Sequence, residues 1–128
     1  MDARIDPAKA LGFKEGDAHV ILNAGGRFAD ALRSLAISQT LLGTQEVAFA
    51  HHTDCGMLTF TDASIRDKLK AERQVNADHV AFLAFPDLDG SVRDDLRAYR
   101  ASTLVRQDIP VRGFVYDVKT GAVREVKL

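Results

Sequence analysis

Apolar residues in this chain switch between two spacings, and Gly, Pro, Asp or Asn marks most of the switches. Asp6-Pro7 predicts a helix start, because a carboxylate can cap and proline is tolerated at the first helical position; a short helix Pro7–Leu11 then ends at Gly12. Ala18-His19-Val20-Ile21-Leu22 predicts a buried strand, broken by the loop Asn23-Ala24-Gly25-Gly26-Arg27. From Asp30 to Leu42, apolar residues at 32, 35, 36, 41 and 42 give a helical stripe with Gly43 as its stop. Glu46–His52 predicts the next strand. Thr61-Asp62 opens a helix with Ile65 and Leu69 on one face. The apolar run His79–Phe85 fits helix or strand, and Pro86 ends it before a turn at Asp87–Gly90. Ser91–Ser102 reads as an amphipathic helix with Val92, Leu96 and Tyr99 inward. Val111–Val118 alternates, Lys119-Thr120-Gly121 turns, and Ala122–Lys127 pairs back as a hairpin.

This order predicts an α/β fold: a mostly parallel sheet flanked by helices, with a C-terminal antiparallel hairpin. The 128 residues fit a single domain, and with 46% hydrophobic residues the chain can bury a core. A net charge of −1 supplies no basic field for nucleic acid or an anionic membrane surface. No apolar run approaches the roughly 20 residues that span a bilayer. One cysteine cannot form an internal disulfide, and Met1-Asp2-Ala3-Arg4 lacks the features of a signal peptide, so the expected location is cytoplasmic. In open sheets, ligands bind beyond the carboxyl ends of strands, where both Asn23–Arg27 and His52–Gly56 fall.

The second of those loops carries the clearest chemistry. In His51-His52-Thr53-Asp54-Cys55-Gly56-Met57-Leu58, an imidazole and a thiolate three residues apart can share one ion, and zinc prefers these donors. Strand alternation sends His51 and His52 to opposite faces, and the spacing favours His52 as the partner of Cys55. A buried cysteine beside a hydrogen-bonded histidine is the competing reading. His51, His19 and His79 read as packed or partly exposed. Asp2 and Arg4 share a face if extended, so the arginine could orient the carboxylate; a frayed terminus with two solvated charges is the alternative. Asn23–Arg27 could cradle an anion on its backbone N–H groups, or be a structural turn. Asp94-Asp95 reads as a solvated helix face, and Asp87 with Asp89 as a turn.

Taken in order, these pieces resemble a β-class carbonic anhydrase, in particular the short-chain branch. The matching segments are Met1-Asp2-Ala3-Arg4, Asn23-Ala24-Gly25-Gly26-Arg27, Ser34-Leu35-Ala36-Ile37-Ser38-Gln39 leading to Leu42-Gly43-Thr44, and His52-Thr53-Asp54-Cys55-Gly56-Met57-Leu58. Arg112-Gly113-Phe114-Val115-Tyr116-Asp117-Val118 with Thr120-Gly121 fits as well. The resemblance implies zinc-dependent reversible hydration of carbon dioxide to bicarbonate, with Zn2+ as cofactor and a homodimer or higher homo-oligomer as the assembly.

The resemblance assigns zinc ligation to His52 and Cys55. Asp2 would accept a hydrogen bond from the zinc-bound water or swing in as a ligand, Arg4 would hold Asp2, and the backbone around Gly56 would border the substrate pocket. It also implies a first zinc cysteine directly before the residue matching Met1, on a central N-terminal strand that this sequence lacks. The chain then reads as a single domain incomplete at its N-terminus, either a fragment or a degenerate homologue. A carbon–sulfur analogue of carbon dioxide is an alternative substrate, and a non-catalytic binding module is an alternative function.

Overall fold

The computed structural model describes residues 1–128. Its elements in chain order are α1 Pro7–Leu11, α2 Phe28–Leu41, β1 Val47–His52, α3 Asp62–Arg73, α4 Leu88–Ala101, β2 Val111–Tyr116 and β3 Val123–Val126, with 3-10 turns at Ala24–Gly26 and Gly56–Leu58. The sheet runs β1-β2-β3, with β1 parallel to β2 and β2 antiparallel to β3. The parallel register places Val47 beside Val111 and His52 beside Tyr116. This is the expected α/β sheet with its terminal hairpin.

Local chemistry accounts for the element boundaries. The Asp6 carboxylate accepts from the Ala8 and Lys9 N–H groups, and Gly12 takes the left-handed turn that closes α1. Thr61 and Ser64 form a reciprocal capping box at the start of α3. Asp87 caps Gly90 N–H at 2.9 Å, so α4 already includes the residues read from sequence as a turn. In the hairpin, Asp117 Oδ1 accepts from the backbone of Lys119 and Thr120.

The core lies between one face of the sheet and the helices α2 and α4. Phe28, Phe49 and Tyr99 meet edge-to-face with centroids 5.7–6.0 Å apart. Gly113 lets α4 approach β2: a Cβ there would meet Leu96 Cδ1 at 3.0 Å and Val92 more closely still. Tyr99 is fully buried, yet its hydroxyl accepts from Gln39 Nε2 and donates to the Arg106 carbonyl, so burial leaves no orphan there. Along β1, Val47, Phe49 and His51 are buried, while Ala48 and Ala50 on the other face are exposed.

Two sequence expectations are corrected. Ala18–Leu22 is not a buried strand: its residues are exposed and its backbone makes no backbone hydrogen bond. An apolar run becomes a strand only when a neighbouring edge pairs its N–H and C=O groups, and the sheet offers this run none. A cleft of about 1660 Å³ borders the run, lined by Ala18–Leu22 and by Glu46–His52. The run His79–Phe85 is neither helix nor strand. Its backbone N–H groups at Phe82 and Ala84 donate to the Asp62 carboxylate at 2.9 and 3.0 Å, and Leu83 takes φ +62°. A side chain on α3, outside any periodicity in the run, dictates its shape.

Candidate active site

The His-Cys loop leaves the carboxyl end of β1. Strand alternation puts His51 into the core and turns His52 to the opposite face, where its side chain is 12% exposed. The His52 Nδ1 lies 2.8 Å from the Thr53 carbonyl oxygen, an acceptor only, so Nδ1 carries the proton. That fixes Nε2 as the nitrogen with a free lone pair, 3.8 Å from Asp2 Oδ2. Asp54 takes a left-handed backbone angle, and the chain then enters the turn Gly56–Leu58. Cys55 is a buried free thiol packed in a small cluster with Met57 and Phe85.

Asp2 and Arg4 do pair, which decides between the two readings of the N-terminus. Arg4 Nε and Nη2 donate to the two Asp2 oxygens at 2.9 and 2.8 Å, and the Arg4 backbone N–H adds a third bond at 2.8 Å. The same guanidinium reaches across to the His-Cys loop, donating to Asp54 Oδ2 at 2.7 Å and to the Asp54 carbonyl at 3.0 Å. The Met1 ammonium donates to the Asn23 carbonyl at 3.0 Å. The side-chain and backbone hydrogen bonds from Arg4 hold the Asp2 carboxyl far below the usual carboxylate range, so it is ionised at neutral pH. Those from Asp2 and Asp54 push Arg4 up in turn, and Arg4 likewise holds Asp54 low.

Asn23–Arg27 is a structural turn. The Asn23 amide bridges it, donating to the Arg27 carbonyl at 2.9 Å and accepting from the Arg27 N–H at 2.7 Å. Gly25 and Gly26 both have positive φ, and a Cβ on Gly26 would come within 2.9 Å of the Ala50 carbonyl and 3.0 Å of the His51 ring.

The sequence reading missed a buried polar cluster under the loop. Asp95, expected on a solvated face, is only 2% exposed and sits between His51 Nε2 at 3.1 Å and Arg27 Nη2 at 3.2 Å. Asp94 is the solvated one, pairing with Arg97. His51 Nδ1 lies 2.7 Å from Ser91 Oγ. The available signal was the spacing of Ser91 and Asp95, four apart on one face of α4 beside Val92, Leu96 and Tyr99.

Asp2, His52, Cys55 and Gly56 all line the cleft beside β1. Imidazole and thiol are the right donors for zinc, and the Thr53 carbonyl orients the imidazole as second-layer partners of ligating histidines do. The set is short by one: no three His, Cys, Asp or Glu side chains gather as a metal site, and Asp2 is engaged by Arg4.

No family model matches the chain. β-Carbonic anhydrase 1 of Mycobacterium tuberculosis is 47% identical over 127 residues, which cover 98% of this chain and 77% of that protein. This chain belongs to the β-carbonic anhydrase family. A crystal structure of carbonic anhydrase from Streptococcus mutans superposes with a TM-score of 0.94 at 48% identity, covering 99% of this chain and 77% of that one. The family likeness extends to carbon disulfide hydrolases. The one from Saccharolobus solfataricus is 30% identical over a 149-residue alignment covering 98% of this chain and 73% of that protein. An apo carbon disulfide hydrolase structure superposes with a TM-score of 0.87 at 26% identity, covering 99% of this chain and 75% of that one.

Proposed function

We propose that this β-carbonic anhydrase homologue serves the zinc-dependent hydration of carbon dioxide to bicarbonate, with His52 and Cys55 as two of the zinc ligands. The observation that carries the reading is the His52 imidazole: its Nδ1 is committed to Thr53 and its Nε2 is free beside Asp2, on the cleft that Cys55 also lines. Zinc, when bound, supplies a Lewis acid that makes water a nucleophile near neutral pH. Asp2, ionised and fixed by Arg4, accepts a hydrogen bond from the attacking water and orients it. Arg4, bonded to both Asp2 oxygens, would hold the carboxylate in that orientation. Backbone groups at Gly56 direct the substrate. The new carbon–oxygen bond makes bicarbonate, and the proton leaves to solvent.

The family resemblance implies a further thiolate as third ligand, and such a ligand would be needed because catalytic zinc takes three protein ligands and keeps one position open. Reduced thiolates suit a cytoplasmic setting. Homo-oligomerisation fits the exposure of Leu41 at 75%, Leu42 at 63% and Leu22 at 61%. Carbon dioxide is favoured over carbon disulfide by the higher identity to carbonic anhydrases, 47% against 30%.

Metal analysis and stopped-flow hydration on two proteins test this. The chain extended at its N-terminus by a family-type strand ending in cysteine should hold stoichiometric zinc and hydrate carbon dioxide. The 128-residue chain should show little of either. Full activity in the shorter chain would refute the third ligand, and no zinc in the extended one would refute the metal site and favour a binding module.

A further inference from the structure

We propose that the buried cluster of Arg27, His51, Ser91 and Asp95 is a positioning device that holds the donor pair His52 and Cys55 in place from beneath. The proposal rests on the zinc reading only for what the pair is for; the clamp itself is a statement about this chain's own packing.

His51 and Asp95 are each 2% exposed and Ser91 1%, while the Arg27 side chain, 13% exposed, closes the cluster's outer side. His51 Nε2 faces two acceptors, Asp95 Oδ2 at 3.1 Å and the Gly26 carbonyl at 3.2 Å, and therefore carries a proton shared between them. Its Nδ1 is met by Ser91 Oγ at 2.7 Å, and Ser91 is itself anchored to the Leu88 carbonyl at 2.7 Å. Both ring nitrogens are thus tied to α4, Nδ1 through Ser91 and Nε2 through Asp95, and Nε2 also reaches the glycine turn before α2. Asp95 is held in turn by Arg27 at 3.2 Å. A buried carboxylate with two partners is stable there, whereas one stripped of them is costly.

The clamp reaches the donors by two routes. The first is covalent: His51 is the neighbour of His52 at the carboxyl end of β1, so locking one ring fixes the backbone that presents the other. The second is packing. The His51 ring stacks on Phe85 with centroids 5.7 Å apart and planes 17° apart, and the Arg27 guanidinium lies 5.5 Å from the same ring centroid. Phe85 closes over Cys55 and Met57, and its N–H donates to the Met57 carbonyl at 3.2 Å. Cys55 therefore shares its hydrophobic cluster with a ring that His51 stacks on and Arg27 lies over. The polar bonds of these four side chains run within the cluster and to backbone, not to His52 Nε2 or Cys55, so their role is positioning.

Cys55 is the chain's one cysteine, so thiol alkylation reports on it alone and needs no metal. In Asp95→Asn the rate of Cys55 alkylation should rise about tenfold, the equivalent of roughly 1.4 kcal/mol easier local opening, at a temperature where circular dichroism shows the fold intact. Ser91→Ala removes the contacts to His51 Nδ1 and the Leu88 carbonyl but leaves the Asp95 carboxylate, so it should raise the rate less, and it serves if Asp95→Asn does not fold. Val126→Ala, a core truncation in β3 away from the site, should leave the rate within twofold of wild type. Equal rates in wild type and folded Asp95→Asn or Ser91→Ala would overturn the proposal, as would an equal rise in Val126→Ala. Cobalt(II) titration of the N-terminally extended protein separates the two readings. A missing thiolate charge-transfer band there refutes the metal site and leaves the alkylation result standing on its own.

Discussion

At the scale of single residues, the site divides labour between groups that would hold a metal and groups that would tune it. Cys55 is buried, and a neutral hydroxyl in its place is a far poorer ligand than thiolate. Asp2 is different: its oxygens are taken by Arg4, and it lies 3.8 Å from the free nitrogen of His52. In the N-terminally extended protein, Cys55→Ser should abolish zinc retention. Asp2→Asn should keep the zinc and lower turnover about ten- to a hundredfold, the usual range for groups that orient what the metal binds. Zinc content by elemental analysis and turnover by stopped flow separate the two. Loss of metal in Asp2→Asn would make Asp2 a ligand instead. Sequence spacing pointed to His52 and Cys55 because their roles are local to one loop. It gave no means of choosing whether Asp2 and Arg4 would pair, since the choice depends on Asp54, fifty residues further along, accepting the other side of the guanidinium.

At the scale of elements, one carboxylate substitutes for regular structure. Asp62 is the first residue of α3, and its oxygens receive the N–H groups of Phe82 and Ala84. Burial pushes the Asp62 carboxyl up, but the N–H groups of Ala84, Phe82 and Leu83 and the charge on Arg66 outweigh it and hold the group low. A carboxyl with a lowered folded-state pKa adds stability that is complete above its unfolded value and is lost as pH falls through the folded one. Segment 79–85 should therefore keep its amide protection at neutral pH and lose it only as pH falls below the ordinary carboxylate range, through the lowered folded-state value of Asp62. Asp62→Asn should cost about 1–2 kcal/mol at pH 7, and less at acid pH, where protonation removes the wild-type carboxylate's advantage. Hydrogen exchange across 79–85 checks the first claim and denaturant unfolding the second; an equal cost at both pH values would contradict them. The same contact explains why this run was illegible: hydrophobic periodicity describes side chains meeting a core, and these backbone groups answer to a single side chain on another element. Where pattern and pairing agree, in β1, α2 and the hairpin, the elements appear within a few residues of where periodicity predicts them.

At the scale of the whole molecule, the sheet has one finished side and one open side. On the finished side α2 and α4 bury Phe28, Phe49, Val92 and Tyr99. On the open side, Ala48 and Ala50 of β1 and the run Ala18–Leu22 are exposed and border the same cleft. Ala18–Leu22 carries a strand's composition without a strand's partners, and that is why a correct reading of its residues produced a wrong element. The fold class survives the error because it rests on β1, β2 and the helices between them. If an added N-terminal strand fills the cleft and pairs with this run, the environment of Ile21 must change from half-open to buried. In the 128-residue chain Ile21 is 37% exposed, so Ile21→Lys should shift stability by no more than about 0.5 kcal/mol. In the extended protein the same change should cost several times more, because a lysine ammonium would be drawn into the sheet interior without a partner. Urea unfolding of the four proteins gives both differences. Equal costs in the two backgrounds would mean that the added segment packs elsewhere than against Ala18–Leu22.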